Sequence, residues 1–597
     1  MLEQQLKSIP IGVASWSVMR DNNLLYVDKT AKLGVLVSKH QKVFLSRPRR
    51  MGKSLLCSML KDLFTNGDTN FAGTAIYGNW PITERYPVIH LSFIDIRGDN
   101  LEIALKAALK SAFSKVGFAQ ANDLELEQPF NGFLKSFDEI TQGHKLVFLI
   151  DEWDFPLSIH LDNEEEFKKS LSTLSIFYSW LRNIENYQYI LITGIMRYRD
   201  ASLFTGRDIL DISMRPKYAD LLGYTQEDLV TNFAPYIELA AQRLKLTKDE
   251  LLAKLEKHYD GFCFDYNAKV KVYCPDSINS FFEPIATSID DPDDLPNFNS
   301  YWMDSSNATA ALRSYLHRYK STPNNILQMC SYDVKIKQSD ITSPTKFNNI
   351  TKTQILFQSG LVSLKNITSD TINNPPDKRS FICRLTNYDV AAKYTAVLTS
   401  YMLGIDDSDA YDHLTKVQNA ILADDINSTC LFINELLCGI HYDFMASAKE
   451  MHYRTLIALW LRSDVINVKE DVDASTQKDV SKASLKETAI TVQEEVPNNL
   501  GRIDLLITTK NHIYVVELKR LSKNTDTKEA KLRMLDKAEQ QILDKCYLNN
   551  IKTEGRLVSS VQIVVSDKYR QIAAWRRSNK IVGMQQELIK MDNVRTK

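Results

Sequence analysis

The chain is poor in cysteine, carries no excess charge of either sign and has no long apolar run, and each lack removes a class of protein. Its eight cysteines, at 57, 263, 274, 330, 383, 430, 438 and 546 of 597 residues, form no CxxC pair and follow no regular spacing. Such scatter excludes a disulfide-built scaffold or a cysteine-rich zinc site, and predicts a reducing compartment with mostly buried thiols. Lys and Arg number 73 against 74 Asp and Glu, a formal charge of -1. Near-neutrality excludes adhesion to DNA or membranes by global charge, but allows a basic groove inside one domain. No run approaches the ~18 apolar residues of a membrane span. The opening Met1-Leu2-Glu3-Gln4-Gln5-Leu6-Lys7 lacks a basic stretch followed by an apolar one. We therefore expect a cytoplasmic protein with no membrane partner; delivery into a host cell by a non-classical signal stays open.

What is present is too long for one core, so about three or four domains are expected. Near the N-terminus, Lys42-Val43-Phe44-Leu45-Ser46 reads as a short buried strand, and Gly52-Lys53-Ser54 opens a helical stretch over residues 55–64. Between them lies Arg47-Pro48-Arg49-Arg50-Met51, so strand, loop and helix come in the order a phosphate-binding loop needs. Backbone N–H groups at the helix start, with Gly52 and the cations Arg49 and Arg50 beside them, suit phosphate oxygens. Lys53 suits the β- and γ-phosphates and Ser54 a Mg²⁺ ion. The general pattern asks for glycine at 47, where this chain has arginine, a loss of backbone freedom.

A second apolar strand, Lys145-Leu146-Val147-Phe148-Leu149-Ile150, delivers Asp151 and Glu152 at its C-terminal end. Asp151 suits the surroundings of the Mg²⁺, and Glu152 the orientation of a hydrolytic water. Asp154 follows in the loop. Residues 86–93 and 187–194 are further strands of parallel-core character, the latter ending in Thr193, placed to sense a γ-phosphate. Arg197 and Arg199 can complete a charge clamp and read equally as surface arginines. These strands predict a mostly parallel α/β domain with its ligand at the strand C-terminal edges. The middle is blander: Thr225 before Asp228 predicts a capping box, segments 231–257 and 304–319 are helical, and residues 291–296 form a turn or loop. It holds no convergent acid–base set.

Near the C-terminus, Gly501-Arg502-Ile503-Asp504-Leu505-Leu506-Ile507 is a strand, and a turn at Lys510-Asn511-His512 leads into Ile513-Tyr514-Val515-Val516-Glu517-Leu518-Lys519-Arg520. Alternation puts Glu517 and Lys519 on one strand face, and a hairpin can return that face to Asp504. Two carboxylates can then hold Mg²⁺ beside a phosphodiester, with Lys519 offsetting negative charge. Glu495, or its neighbour Glu494, can add a third carboxylate, and Glu450 in the preceding helix another. His512 reads as an exposed turn residue. Residues 537–547 are helical, with Gln541 and Lys545 four apart as candidate nucleic-acid contacts. Lys537 closes a basic stretch with Lys523, Lys528, Lys531 and Arg533. Residues 561–565 read as the final core strand, and the polar tract 466–499 as an insertion between helix and first core strand.

These motifs together resemble the bacterial family of AAA-ATPase-like proteins fused to a PD-(D/E)xK nuclease-superfamily domain. The resemblance is carried by Tyr26-Val27-Asp28-Lys29-Thr30, by Arg47 through Ser54, and by Leu149-Ile150-Asp151-Glu152-Trp153-Asp154, with Trp153 where tyrosine is commoner. Asp260-Gly261-Phe262, Tyr273-Cys274-Pro275, Gly501-Arg502-Ile503-Asp504, Glu517-Leu518-Lys519 and Gln541 through Tyr547 extend it. In that family Arg47 is usual. The resemblance implies an α/β multidomain protein. Its parts are a P-loop NTPase domain with a parallel sheet (1–215), a helical lid (216–320), a small mixed connecting domain (321–435) and a restriction-endonuclease-like α/β domain (436–597). It implies ATP and Mg²⁺ as cofactors, with Mn²⁺ able to substitute, nucleic acid as partner with DNA ahead of RNA, and self-assembly through the ATPase domain. The expected activity is ATP turnover controlling a metal-dependent nuclease. The alternatives are a nuclease-inactive binding module and an NTP-dependent effector acting on a protein.

Overall fold

The computed structural model describes residues 6–198, 208–287, 294–306, 334–338, 351–367, 379–445, 448–462, 490–498, 500–548, 551–581 and 584–590, with isolated positions at 308–309, 312–313, 316 and 341. Two compact units divide the chain, Met1–Tyr319 with Asp333–Val390 and Lys320–Tyr332 with Ala391–Lys597. Arg199, residues 202–204, most of 306–333 and the polar tract from 463 to 489 lie outside the described residues.

The first unit is built on a five-stranded sheet. Its strands are β1 (Lys42–Ser46), β2 (Val88–Ser92), β3 (Leu146–Asp151), β4 (Tyr187–Gly194) and β5 (Leu210–Asp211), in the order β2-β3-β4-β1-β5. Every pairing is parallel, so both faces are covered and the strands are continuously apolar; all six residues of β3 are buried. Helix α1 (Lys53–Asn66) returns from β1 and packs Leu56, Leu60, Leu63 and Phe64 against Val43, Leu149 and Leu191. Because β4 lies between β1 and β3, Thr193 at its end stands between the loop after β1 and the acids after β3.

The middle segments complete this unit. Helices Gln226–Asn232, Ala234–Arg243, Lys248–Tyr259 and Pro275–Thr287 pack around Phe233, Tyr236, Leu255 and Phe282. The expected capping box is present: Thr225 accepts from the Asp228 N–H while the Asp228 carboxylate accepts from the Thr225 N–H. A short β6 (Phe262–Cys263) pairs with β7 (Lys271–Val272), and β8 (Val334–Lys337), β9 (Val362–Ile367) and β10 (Ser380–Leu385) form an antiparallel sheet in the order β8-β10-β9.

The second unit joins helices Asp407–Leu422, Ile426–Gly439 and α2 (Glu450–Leu461) to a six-stranded mixed sheet. Its strands, in spatial order, are β11 (Thr491–Asn498), β12 (Gly501–Thr508), β13 (His512–Leu521), β14 (Leu557–Ser566), β15 (Gln571–Ile581) and β16 (Met584–Lys590). Helix α3 (Lys528–Asp544) crosses from β13 to the parallel β14 and buries Leu535, Ala538 and Ile542. Two sequence expectations are corrected here. Residues 491–498, assigned to the insertion, are an edge strand of this sheet, with Val492 its buried residue. They pair with β12 in one unbroken antiparallel register, Glu494 opposite Leu505 and Val496 opposite Ile503, and Glu495 between them has a left-handed φ of 52°. The strand at 561–565 is not the last, because β15 and β16 follow it. Arg576 and Arg577 disguise β15 as a solvated stretch, but Arg576 is buried between Asp536 (2.9 Å) and Glu539 (2.8 Å). Five of the seven described cysteines are buried and all are free thiols.

Candidate active sites

In the first unit a cavity of about 370 Å³ opens at the C-terminal edge of the sheet, lined by Arg49, Arg50, Gly52, Lys53, Ser54 and Glu152 together with Tyr26, Leu222 and Asn279. Gly52 caps α1 at φ 93°, a conformation glycine adopts freely, whereas Arg50 at φ 66° is held there at a cost. Lys53 is buried, donating to the carbonyls of Arg47 (3.1 Å) and Pro48 (3.0 Å) and pairing with Glu152 at 3.2 Å. Behind it Ser54 Oγ donates to Asp151 at 2.5 Å, and Thr193 Oγ1 donates to the other oxygen of the same carboxylate. The residues expected to bind nucleotide thus converge: five of them line the cavity beside Glu152, and Asp151 and Thr193 stand directly behind Ser54. Glu152 also has a left-handed φ, 53°, and the strain falls on the residue expected to orient water.

The supports of this site run through residues the motif pattern undervalues. Arg47 is 1% exposed; its guanidinium donates to the carbonyls of Ser46 (2.9 Å), Ser213 (2.6 Å) and Tyr218 (3.0 Å) and lies 4.1 Å from the Phe264 ring centre. Asp154 accepts the N–H groups of Ile195 (3.0 Å) and Met196 (2.8 Å), fixing the chain just past Thr193. Burial, reinforced by the charge of Glu152, pushes its carboxyl up to about 6. Trp153 packs so closely on Gly194 that a Cβ there would lie 2.3 Å from the indole, which explains the glycine. Arg197 does not serve as a phosphate clamp. It is buried, ion-paired with Asp211 at 2.9 Å and donating to the Ile341 carbonyl, because β5 brings Asp211 beside it.

In the second unit the hairpin of β12 and β13 brings Asp504, Glu517 and Lys519 together. Lys519 Nζ donates to Glu517 Oε1 at 2.6 Å, so the two share a strand face as alternation requires. Asp504 Oδ2 accepts the Leu518 N–H at 2.8 Å, which fixes that carboxylate across the hairpin. Glu517 is 1% exposed, and its Oε2 is buried without a hydrogen-bond partner. Burial first, then the charges of Asp504 and Glu450, push its carboxyl up to about 7 against the opposing pull of Lys519. Glu450, first residue of α2, is raised for the same reasons. A buried, unpartnered oxygen among three acids suits a divalent cation, which would neutralise that charge. Among the described residues no three His, Cys, Asp or Glu side chains are grouped to hold an ion. An ion here would therefore rest on Asp504 and Glu517, its remaining positions left to backbone, water or phosphate oxygens, as suits Mg²⁺.

Other expected residues fall nearby with different roles. Glu495 reaches this group only through Arg454, which pairs with both Glu495 and Asp504. Arg454 was missed on sequence, although its i,i+4 spacing from Glu450 puts both on one face of α2. Gln541 Nε2 donates to the Tyr547 hydroxyl at 3.4 Å, and that hydroxyl donates to the Arg502 carbonyl at 2.6 Å, two residues before Asp504. Lys537 and Lys545 are exposed, Lys537 on α3 and Lys545 just past its end. Lys531 is instead paired with Asp526 at 2.9 Å. His512 is not an exposed turn residue: its side chain is 13% exposed, stacked on Tyr514 and 3.4 Å from Asp424, an acid far upstream in the turn between helices Asp407–Leu422 and Ile426–Gly439.

A strand, phosphate loop and helix with a second acid-tipped strand define a P-loop NTPase-like unit. A mixed sheet carrying Asp-x12-Glu-x-Lys across a hairpin defines a nuclease-like one. Comparison with known families agrees: residues 10–204 match the family described as "Predicted AAA-ATPase", and residues 481–575 the "PD-(D/E)XK nuclease superfamily". The chain joins a domain of the first to a domain of the second. It is also 24% identical over 576 residues to "Uncharacterized protein in vnfD 5'region" of Azotobacter chroococcum mcd 1, an alignment covering 95% of this chain and 98% of that protein. No solved structure matches the chain.

Proposed function

We propose that the protein couples ATP binding and hydrolysis in its first unit to metal-dependent phosphodiester cleavage, preferentially of DNA, in its second. The observation that carries the reading is the buried Glu517 oxygen left without a partner beside Asp504 and Lys519. In the first unit Lys53 would exchange the loop carbonyls it now holds for β- and γ-phosphate oxygens. Ser54 and Asp151 would hold the Mg²⁺ of the nucleotide, Thr193 would fix the Asp151 carboxylate, and Glu152 would orient the attacking water. In the second unit a divalent ion on Asp504 and Glu517 would supply Lewis-acid polarisation of the scissile phosphate and a more acidic water. Lys519 holds Glu517 in place and offsets negative charge developing on the phosphate. Gln541 and Lys537 on α3, with Lys545 just past its end, would meet the nucleic-acid backbone.

The test incubates supercoiled DNA, linear DNA and RNA with wild type, Lys53→Ala and Asp504→Ala, with Mg²⁺ or Mn²⁺, and with or without ATP. We expect Asp504→Ala to lose cleavage while keeping ATP turnover, and Lys53→Ala to lose turnover together with any ATP dependence of cleavage. Binding without cleavage on every substrate would identify a nuclease-inactive binding module. ATP turnover with neither binding nor cleavage would point to a protein target.

A further inference from the structure

We propose that Arg454 is the resident counter-cation of the nuclease site, occupying Asp504 until a divalent ion displaces it, and so sets the affinity of the site for metal. The inference rests on the metal-dependent reading of Asp504 and Glu517 above. Arg454 lies one turn after Glu450 on α2, with a side chain 13% exposed. A single nitrogen, Nη1, serves two acids: it donates to Asp504 Oδ1 at 3.2 Å and pairs with Glu495 Oε1. Its Nε is buried without a hydrogen-bond partner, 3.8 Å from Glu494 Oε2. A guanidinium normally grips a carboxylate with two parallel N–H donors, so this one is held by one arm and shared.

The surroundings are arranged for its departure. Asp504 keeps its orientation without Arg454, because its other oxygen is held by the Leu518 N–H. Helix α2 keeps its hold on β11, because Thr455 (3.0 Å) and Arg462 (2.8 Å) both bind Glu494. Glu495, on β11 with a side chain 40% exposed, offers the displaced guanidinium an acceptor beside the one it leaves. A divalent ion brings twice the charge to Asp504 and also reaches Glu517, which Arg454 does not bridge in the hydrogen bonds it makes. Exchange therefore replaces one shared contact by an ion held on two carboxylates, with Arg454 retained by Glu495.

The probe is Mn²⁺ alone, titrated calorimetrically into the full-length protein without nucleotide or nucleic acid, with Asp504→Ala subtracting metal bound elsewhere. Arg454→Gln is expected to tighten the Asp504-dependent site about tenfold, the range over which neighbours of metal ligands act. Glu495→Gln, a half-exposed change that leaves the core intact, is expected to weaken it by leaving Arg454 wholly to Asp504. In the double variant the Glu495 effect should largely vanish, because it acts through Arg454. Unchanged Mn²⁺ affinity in Arg454→Gln, or a Glu495 effect that persists in full in the double variant, overturns the inference while the metal site stands. Wild-type protein with no Asp504-dependent Mn²⁺ site overturns both.

Discussion

Glu517→Gln is expected to raise the metal-free melting temperature at pH 8, to leave it nearly unchanged at pH 5, and to abolish metal-dependent cleavage. The folded carboxyl is raised from 4.5 to about 7, chiefly by burial and then by Asp504. Between those values the folded protein binds a proton that the unfolded chain releases, so stability falls as pH rises through that window. Above it, the fold holds a buried carboxylate with one oxygen unpartnered. Glutamine carries no charge to bury, so its advantage appears at pH 8 and is absent at pH 5, where the native carboxyl is already mostly neutral. Each kcal/mol recovered should show as about 2–4 °C in a unit of this size. Metal reverses the order. Binding needs the ionised ligand, so Mn²⁺ should stabilise wild type more at pH 8 than at pH 6 and leave Glu517→Gln unmoved. Cleavage should fall by about 100-fold or more, beyond the loss that follows removal of a ligand's supporting partner. Equal melting temperatures at pH 8, or cleavage kept by the glutamine variant, would remove Glu517 from the site.

The readable parts of this chain are those whose chemistry is local. Strand β3 was legible because a strand covered on both faces is an unbroken apolar run, and Asp151 and Glu152 because they end it. Thr193, Lys53 and Ser54 were legible for the same reason, as polar residues at the tips of apolar elements. Asp504, Glu517 and Lys519 needed only a hairpin and a period of two. The missed features depend on partners far along the chain. Arg454 meets Asp504 across 50 residues, and Tyr514, beside His512, meets Asp424 across 90. Arg197 looked like a free cation because nothing in the strand it follows announces the Asp211 that β5 brings beside it. Strand β11 was hidden by its polarity, since Thr491, Gln493, Glu494 and Glu495 read as a solvated run and an edge strand buries few of its residues.

Arg47→Gly, which would restore the general phosphate-loop pattern, is expected to destabilise the first unit and weaken ATP binding. The pattern favours glycine for its conformational freedom, but the left-handed positions of this loop fall on Arg50 and Gly52, not on residue 47. What residue 47 supplies is a buried cation that ties the end of β1 to the carbonyls of Ser213 and Tyr218 and stacks on Phe264. Burial pushes that guanidinium down to about 9, with Asp211 pulling the other way, so it stays charged at neutral pH. Removing it strips donors from three buried carbonyls, and each unmade hydrogen bond costs about 1–3 kcal/mol. A total of about 3 kcal/mol or more should appear as a lower urea midpoint for the first unit. Arg47→Lys should recover only part of this, because one ammonium cannot reproduce a planar fork that reaches three carbonyls and stacks on a ring. Affinity for ATP should fall as well, since the Arg47 carbonyl holds Lys53 Nζ at 3.1 Å and its position depends on where the side chain anchors. A glycine variant as stable as wild type, with ATP affinity intact, would show that the buried guanidinium is dispensable. The expected outcome is the reverse: the loop has exchanged freedom at its first position for an anchor, and it keeps its shape only while that anchor is in place.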